Sequence, residues 1–301
     1  RGDRGESVRS KGCVWESVKP CPGRAFLRTA VIRMGGRKMI VINKEKCIGC
    51  GLCAADCPAE KLAVENGKAV YTPECIQCGH CVAVCPRAAI SIPEYDMADV
   101  EEYDRKTFTV DPAVFLRAVK FRRSIRNYRE KSISREVLGR ILEAGRYTAT
   151  AKNRQACRFI VLQEELPAFR KYLWEQMPEL AEAMKETAPH YSMMFKFMYR
   201  RQRKDPKDDP LFFNAPACIF IAADNPLDGG LAAANIENMA VAEGAGVLYS
   251  GYIQRITEGW KPLKDWIGIG DTPVACCMLI GYPAVTYKRT APRKKADITW
   301  R

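Results

Sequence analysis

Residues 47–86, CIGCGLCAADCPAEKLAVENGKAVYTPECIQCGHCVAVCP, contain two copies of one cysteine motif. Each copy has the spacing C-x2-C-x2-C-x3-C-P, and the cysteines are Cys47, Cys50, Cys53 and Cys57, then Cys75, Cys78, Cys81 and Cys85. Three thiolates at this spacing on a tight loop can converge on three corners of a [4Fe-4S] cube, whereas the fourth ligand must arrive from another direction. The repeat therefore predicts two [4Fe-4S] clusters in one short segment.

The repeated motif resembles the ligand run of bacterial two-cluster ferredoxins, in which the fourth cysteine of each copy binds the other cluster. The ligands implied are, for cluster I, Cys47, Cys50, Cys53 and Cys85, and for cluster II, Cys75, Cys78, Cys81 and Cys57. Zinc sites and disulfides are alternative roles for cysteines. Zinc sites usually pair one C-x2-C with a distant second pair, and disulfide frameworks belong to small secreted chains. A whole motif that occurs twice favours clusters over both.

Composition excludes some classes of function. The chain has 301 residues, a formal net charge of +13 and 14 cysteines. Its basic residues are spread along the chain, so we expect a solvated basic surface and no nucleic-acid site. No apolar run reaches the length of a membrane span, so no membrane association is expected. Clusters and free thiols together favour a reducing compartment, and a cytoplasmic location is expected.

The sequence divides into four expected segments: a leader at 1–38, a two-cluster domain at 39–93, a linker at 94–112 and a second domain at 113–301. The leader is rich in Gly and Arg and does not begin with Met. We expect it to be disordered or non-native.

The two-cluster domain is expected to contain few strands. The pattern predicts a strand at 39–42, a hairpin over 61–71 that turns at Asn66-Gly67, and a closing strand at 89–92 that pairs with the first. Such a domain has too little apolar surface to form a large core, so its clusters are expected to supply much of its folding energy.

Helical periodicity and short apolar runs alternate in the second domain. They predict helices at 113–122, 134–144, 166–203 and 231–245, and strands at 159–163, 217–222 and 274–280. A central sheet with helices on both sides follows, and the fold class is α+β.

Four stretches of the second domain resemble, in order, the FMN-dependent nitroreductase family. They are RRSIR at 122–126, NRQ at 153–155, GAGVLYSG at 244–251, and the segment 281–295 with its GYP and PRKK. Each is weak alone, but their order and spacing make the match specific. With the cysteine motifs included, the resemblance covers nearly everything after residue 38, and it is to the subgroup that carries an N-terminal two-cluster ferredoxin. One departure is Ala156-Cys157, where family members commonly have Pro-Trp.

The resemblance implies the residues that bind FMN: Arg122, Arg123, Ser124, Arg126, Asn153, Gln155, Ser250, Gly251, Arg293, Lys294 and Lys295. Arg122 and Ser124 offer a forked guanidinium and a hydroxyl to the phosphate, with Arg293 and Lys295 completing the site. Arg126 corresponds to the basic position near the pyrimidine end of the flavin. Gly251 corresponds to the close backbone approach near N5.

No catalytic side chain is assigned, because the chemistry implied occurs at N5 of FMN. His190 is the candidate proton donor, and an inert, exposed histidine is the alternative. The insertion at 166–210 is rich in Met and aromatic residues around 193–199. Both a lid over the flavin and ordinary core or dimer packing remain open for it.

The combined resemblance implies an iron-sulfur flavoprotein oxidoreductase. Clusters pass one electron at a time, whereas a flavin stores two. We therefore expect the clusters to relay electrons to FMN, which reduces a small, electron-poor organic substrate of the nitroaromatic class. A homodimer that binds FMN between its subunits is implied. The expected donor is a ferredoxin or another low-potential protein, with NAD(P)H as an alternative.

Two other functions remain open. The same scaffold could act as an ene reductase, a reductive dehalogenase or a flavin-degrading enzyme. The chain could instead be a non-enzymatic electron-transfer or redox-sensing protein, for which a closed pocket above the flavin would be expected.

Overall fold

The computed structural model describes residues 39–301, so the leader expected at 1–38 lies outside the described residues. The first part of the described chain is built from very short elements. They are β1 (Val41–Ile42), α1 (Leu52–Ala55), β2 (Leu62–Glu65), β3 (Lys68–Tyr71), α2 (His80–Ala83) and β4 (Ile90–Ser91).

Strand pairing in this part agrees with the prediction. β1 pairs antiparallel with β4, and β2 and β3 form an antiparallel hairpin. The hairpin turns at Asn66 and Gly67, whose φ angles are 50° and 72°, as a type I′ turn requires. Ile40, Ile90 and Ile92 pack with the cysteine side chains in a small core. Three of the nine buried residues of this core are cysteines.

The two copies of the cysteine motif have the same local structure. α1 follows Gly51 and α2 follows Gly79, and both glycines have φ of 80°. This left-handed conformation is readily available only to glycine. Each helix carries the third cysteine of its copy, Cys53 or Cys81, and both side chains are buried.

The segment expected to be a linker contains two short helical turns. Met97–Asp99 is a 3-10 turn that is capped by the Asp96 carboxylate, and α3 (Arg105–Phe108) is capped by the Asp104 carboxylate. Most of these residues are exposed. The two Asp caps explain why a stretch with several acids forms turns here.

The rest of the described chain contains seven α-helices, a short 3-10 turn at Ala151–Asn153 and four strands. The helices are α4 (Pro112–Phe121), α5 (Arg135–Arg146), α6 (Leu166–Ala183), α7 (Pro189–Lys204), α8 (Pro226–Ala242), α9 (Gly251–Gly259) and α10 (Lys261–Trp266). The strands are β5 (Arg158–Leu162), β6 (Ala217–Ala222), β7 (Gly246–Tyr249) and β8 (Val274–Gly281).

A four-stranded antiparallel sheet of order β5-β6-β8-β7 divides two apolar cores. Every residue of the central strand β6 is buried, as its continuous apolar run predicts. One core lies between the sheet and α6, α7, α9 and α10, and the other lies between the sheet and α5 and α8. Helices cover both faces of the sheet, as expected.

The helices differ from the prediction in three ways. α8 begins at Pro226 and not at 231, because the Asn225 side chain accepts from the Leu227 N–H and Pro226 occupies the first turn. The helical region at 166–203 is divided, because Pro189 begins a new helix. α9 and α10 were not anticipated. None of the helices within residues 39–301 is long and apolar enough to cross a membrane.

Candidate functional site

The eight motif cysteines surround two separate cavities. One cavity is lined by Cys47, Cys50, Cys53 and Cys85, and the other by Cys57, Cys75, Cys78 and Cys81. Each cavity therefore takes three cysteines from one copy of the motif and the fourth from the other copy. This is the grouping that the ferredoxin resemblance implies.

Backbone N–H groups point at the sulfur atoms. The N–H of Ala69 donates to Cys47 Sγ, and the N–H of Gln77 donates to Cys75 Sγ, both over 3.3 Å. The backbone N–H groups of Lys61 and Ala89 donate in the same way to Cys57 Sγ and Cys85 Sγ, the fourth cysteines of the two copies. Donors of this kind stabilise thiolates and the negative charge of a cluster.

The pKa values of the cysteines follow from these surroundings. Hydrogen bonds from the Ala69 and Gly49 N–H groups lower the pKa of Cys47. Burial, with the neighbouring Cys75 and Cys78 thiols, raises the pKa of Cys81 to about 11. Cysteine binds a metal as the thiolate, so Cys81 would have to lose its proton to hold a cluster in this cavity.

The donor set fits a cubane better than a single ion. Among residues 39–301, no three His, Cys, Asp or Glu side chains are close enough to share one metal ion. In a [4Fe-4S] cubane each cysteine binds a different iron, so the four sulfurs need not meet at one point. A mononuclear zinc site needs all its ligands around one atom.

His80, which lies in the second motif, contacts the first copy. Its Nδ1 is 3.2 Å from the Asp56 carboxylate, and both side chains are about half exposed. The contact joins α2 to the residue that precedes Cys57, so His80 links the two motif copies.

Apart from the two cysteine cavities, an open pocket of about 250 Å³ lies in the sheet domain. Its lining includes three of the predicted FMN contacts: Arg126, Ser250 and Gly251. The chain brings these distant residues together because the Ile125 N–H donates to Val247 O over 3.0 Å and Ser124 forms a parallel bridge with Val247. The 122–126 segment is thereby held beside the end of β7, where α9 begins with Ser250 as its cap.

Other residues of this pocket were not anticipated. Tyr191 of α7, Phe213 and two residues of α9, Tyr252 and Arg255, line it. The Arg255 guanidinium lies 4.5 Å from the Tyr191 ring centroid, a cation-π distance. The aromatic content of the 166–210 insertion was the available signal, but its partners on α9 are about sixty residues away and have no motif.

The insertion has a mixed role. Phe195 is fully buried, and Met194, Met198 and Tyr199 pack against the larger core. Met193 and Phe197 are exposed. The neighbouring His190 is exposed and is not among the pocket residues, whereas Tyr191 is.

The predicted phosphate residues are not brought into one site within the described chain. Arg122 Nη1 makes a 3.1 Å ion pair with Glu237 Oε1, whose side chain is 9% exposed. Burial raises the pKa of Glu237, and Arg122 opposes this rise. Arg123 donates to the Arg122 and Lys120 carbonyls. Arg293 donates to the carbonyl of Pro292, and Lys294 and Lys295 lie beside it in an exposed segment without regular structure.

The side chains of the predicted flavin amides contact the cysteine-rich part and the segment that follows it. Asn153 Nδ2 donates to the Gln77 carbonyl over 2.9 Å, and Gln155 Nε2 donates to the Tyr95 hydroxyl over 3.0 Å. The assignment of Asn153 and Gln155 to FMN stays a prediction.

Comparison with known proteins places both parts of the chain. A family model described as Nitroreductase family matches residues 119–282, more than half of the chain. A model described as 4Fe-4S dicluster domain matches residues 39–86. Ferredoxin-2 of Desulfomicrobium norvegicum is 48% identical over 31 residues, which are 10% of this chain and 52% of that protein. The chain thus spans about half the length of this curated relative.

Two solved structures are similar to the second part of the chain. A nitroreductase with bound FMN from Desulfitobacterium hafniense DCB-2 is 20% identical, with a TM-score of 0.48, and the match covers 62% of this chain and 98% of that one. A nitroreductase with bound FMN from Bacteroides fragilis NCTC 9343 is 18% identical, with the same TM-score and coverage.

The family model carries the assignment of the second part, and the antiparallel sheet with helices on both faces confirms the expected α+β class. The chain therefore belongs to the nitroreductase family and is an oxidoreductase in which a 4Fe-4S dicluster domain precedes the family domain.

Proposed function

We propose that this chain is an FMN-dependent oxidoreductase that receives electrons through two [4Fe-4S] clusters and reduces a small, electron-poor organic molecule of the nitroaromatic class. The observation that carries the proposal is the pocket at the end of β7. Arg126, Ser250 and Gly251 line it together, although they come from two stretches more than a hundred residues apart.

The pocket suits the ring system of a flavin. The pocket has a volume of about 250 Å³ and is open to solvent, so the ribityl chain and phosphate could extend beyond it. The Arg126 guanidinium supplies a positive charge. Gly251 has no side chain, and no atom of another segment lies within 4 Å of the position a Cβ would take, so a ring can approach its backbone closely. When bound, FMN supplies two-electron storage and hydride release from N5. The chain's own residues bind and orient it.

The aromatic part of the pocket lining suits a planar substrate. Tyr191, Phe213 and Tyr252 present aromatic side chains, and Arg255 adds a second guanidinium. Among the pocket residues there is no Asp or Glu. Electron-poor rings and anionic groups are the ligands that such a lining favours.

One helix surface supports a homodimer. Five large apolar side chains of α4 are 40–54% exposed: Val114, Phe115, Leu116, Val119 and Phe121. A helix with this many exposed apolar residues is typical of a protein interface. A second copy would also bring another C-terminal segment, with Arg293 and Lys295, to the assembly.

An anaerobic titration tests the proposal. Reduced ferredoxin, and separately NADH or NADPH, is added to protein with reconstituted clusters and FMN while the cluster and flavin absorbance bands are followed. We expect the low-potential donor to reduce clusters and FMN together, and a nitroaromatic to reoxidise both. If NAD(P)H bleaches FMN while the clusters stay oxidised with both donors, the relay is wrong.

Arg126→Gln is expected to weaken FMN binding about tenfold, because a charge-assisted contact to the flavin is lost. Fluorescence titration of the deflavinated protein with FMN measures the change. Arg135→Gln, an equal change of charge at an exposed position of α5, is the matched control. Equal FMN dissociation constants for Arg126→Gln and Arg135→Gln would remove Arg126 from the site.

A further inference from the structure

The loop at 150–155 joins the two parts of the described chain through side-chain amides. Asn153 Nδ2 donates to Gln77 O over 2.9 Å and lies 3.4 Å from the Tyr95 hydroxyl. Gln155 Nε2 donates to the same hydroxyl over 3.0 Å. We call Asn153, Gln155 and Tyr95 the amide clamp.

The clamp holds the loop of one particular cavity. Gln77 lies between Cys75 and Cys78, and its N–H donates to Cys75 Sγ over 3.3 Å. Its side-chain amide donates to Met39 O and to the Glu94 carboxylate. A single residue, Gln77, thus links a cysteine sulfur of the second cavity, through its N–H, to the Asn153 amide, through its carbonyl. The contacts of the first cavity are different, since Ala69 of the β2-β3 hairpin donates to Cys47 Sγ.

Backbone conformation shows that this junction is constrained. Gln77, Lys152, Asn153 and Gln155 have φ angles of 50°, 54°, 52° and 50°. Residues other than glycine are uncommon in this left-handed backbone region, and their surroundings hold them there. The Thr150 hydroxyl, which accepts from the Gln155 N–H over 2.9 Å, is part of that support.

Resting on the proposed function, we infer that the amide clamp positions the second cysteine cavity against the nitroreductase domain, so that electrons leave the iron-sulfur domain at the cluster held by Cys57, Cys75, Cys78 and Cys81. Each transfer oxidises that cluster by one electron. Two transfers and one proton from solvent reduce the flavin ring, and the external low-potential donor restores the cluster. Asn153, Gln155 and Tyr95 act as positioning residues.

Tyr95→Phe is the decisive variant, because it removes the hydroxyl that accepts from both amides and keeps the ring. Hydrogen-deuterium exchange of the holoprotein is measured over residues 74–79, together with the rate at which prereduced clusters reduce FMN in stopped flow. We expect exchange at 74–79 to rise about fivefold, as for the loss of one hydrogen bond. Electron transfer should slow about tenfold through misplacement of the loop. FMN affinity should not change.

Two further variants complete the experiment. Asn153→Ala is expected to raise exchange at 74–79 in the same way, and Arg154→Gln, an exposed neighbour in the same loop, is expected to behave as wild type. Exchange over 44–51, in the first cysteine loop, should stay constant in all three. Unchanged exchange at 74–79 in Tyr95→Phe and Asn153→Ala would overturn the clamp. So would a loss of FMN affinity confined to Asn153→Ala, because the amide would then serve the flavin.

The exchange measurement also separates this inference from the proposed function. If wild-type clusters fail to reduce FMN, the relay and the electron exit both fail. Exchange at 74–79 in the same protein then still decides whether the amides hold the cysteine loop.

Discussion

Cys81→Ala is expected to lower the iron content from about eight atoms per chain to about four and to stop electron flow from the external donor to FMN. Cys81 is buried at the centre of its motif copy and lines the second cavity. Alanine has no thiolate to replace it. We expect donor-driven reduction of substrate to fall at least about a hundredfold, whereas FMN reduced directly by dithionite should still reduce substrate.

Iron analysis, electron paramagnetic resonance and stopped-flow reduction measure this effect. Cys157→Ala is the matched control, because Cys157 is a partly buried cysteine that lines neither cavity. Burial raises the pKa of Cys157, as expected of an unreactive thiol. Full iron content in Cys81→Ala would rule out the ligand assignment, and an unchanged donor-driven rate in a protein that has lost half its iron would rule out the relay.

Gly49→Ala is expected to abolish the first cysteine cavity. Gly49 has φ of 68°, and a Cβ added there would lie 2.2 Å from Gly67 O in the hairpin turn. That contact is with backbone, so no side chain can rotate away to relieve it. The hairpin must move, and with it the Ala69 N–H that donates to Cys47 Sγ. We expect the protein to lose the iron of one cluster and the cysteine-rich domain to unfold at a lower temperature.

Gly51→Ala separates steric clash from backbone strain. Gly51 lies in the same loop with φ of 80°, but a Cβ there would meet no atom within 4 Å. Both variants therefore carry the left-handed penalty of about 1–2 kcal/mol, and only Gly49→Ala carries the clash. Iron content and melting temperature should be clearly lower for Gly49→Ala. Equal losses in the two variants would show that the contact with Gly67 is not what limits the loop.

Local signals predicted the elements well where one residue type sets the geometry. Asn66-Gly67 fixed the hairpin, because few other pairs adopt two positive φ angles. Ser134 caps α5 through the Val137 N–H, as its position before an amphipathic run predicts. The grouping of cysteines around two cavities followed from motif spacing and the ferredoxin resemblance. In the first two cases the information lies within a few residues of the feature, and in the third it lies in the repeat of the motif.

Long-range contacts could not be predicted from those signals. Arg122 pairs with Glu237, 115 positions away, and nothing in RRSIR indicates a carboxylate partner. Asn153 contacts Gln77 across 76 positions, although its motif suggested a flavin contact. Arg255 joins Tyr191 at the pocket because α9 and α7 cover the same face of the sheet. Each contact depends on packing that is decided only when the whole domain has folded.

The exchange of fourth cysteines between the two motif copies has an evolutionary consequence. Each cavity is completed by a cysteine of the other copy, Cys85 in one case and Cys57 in the other. Deleting either copy would therefore leave no complete set of four. A lineage that deleted one copy would thus lose ligands of both cavities in one step, whereas loss of a single cysteine such as Cys81 removes a ligand from one cavity alone.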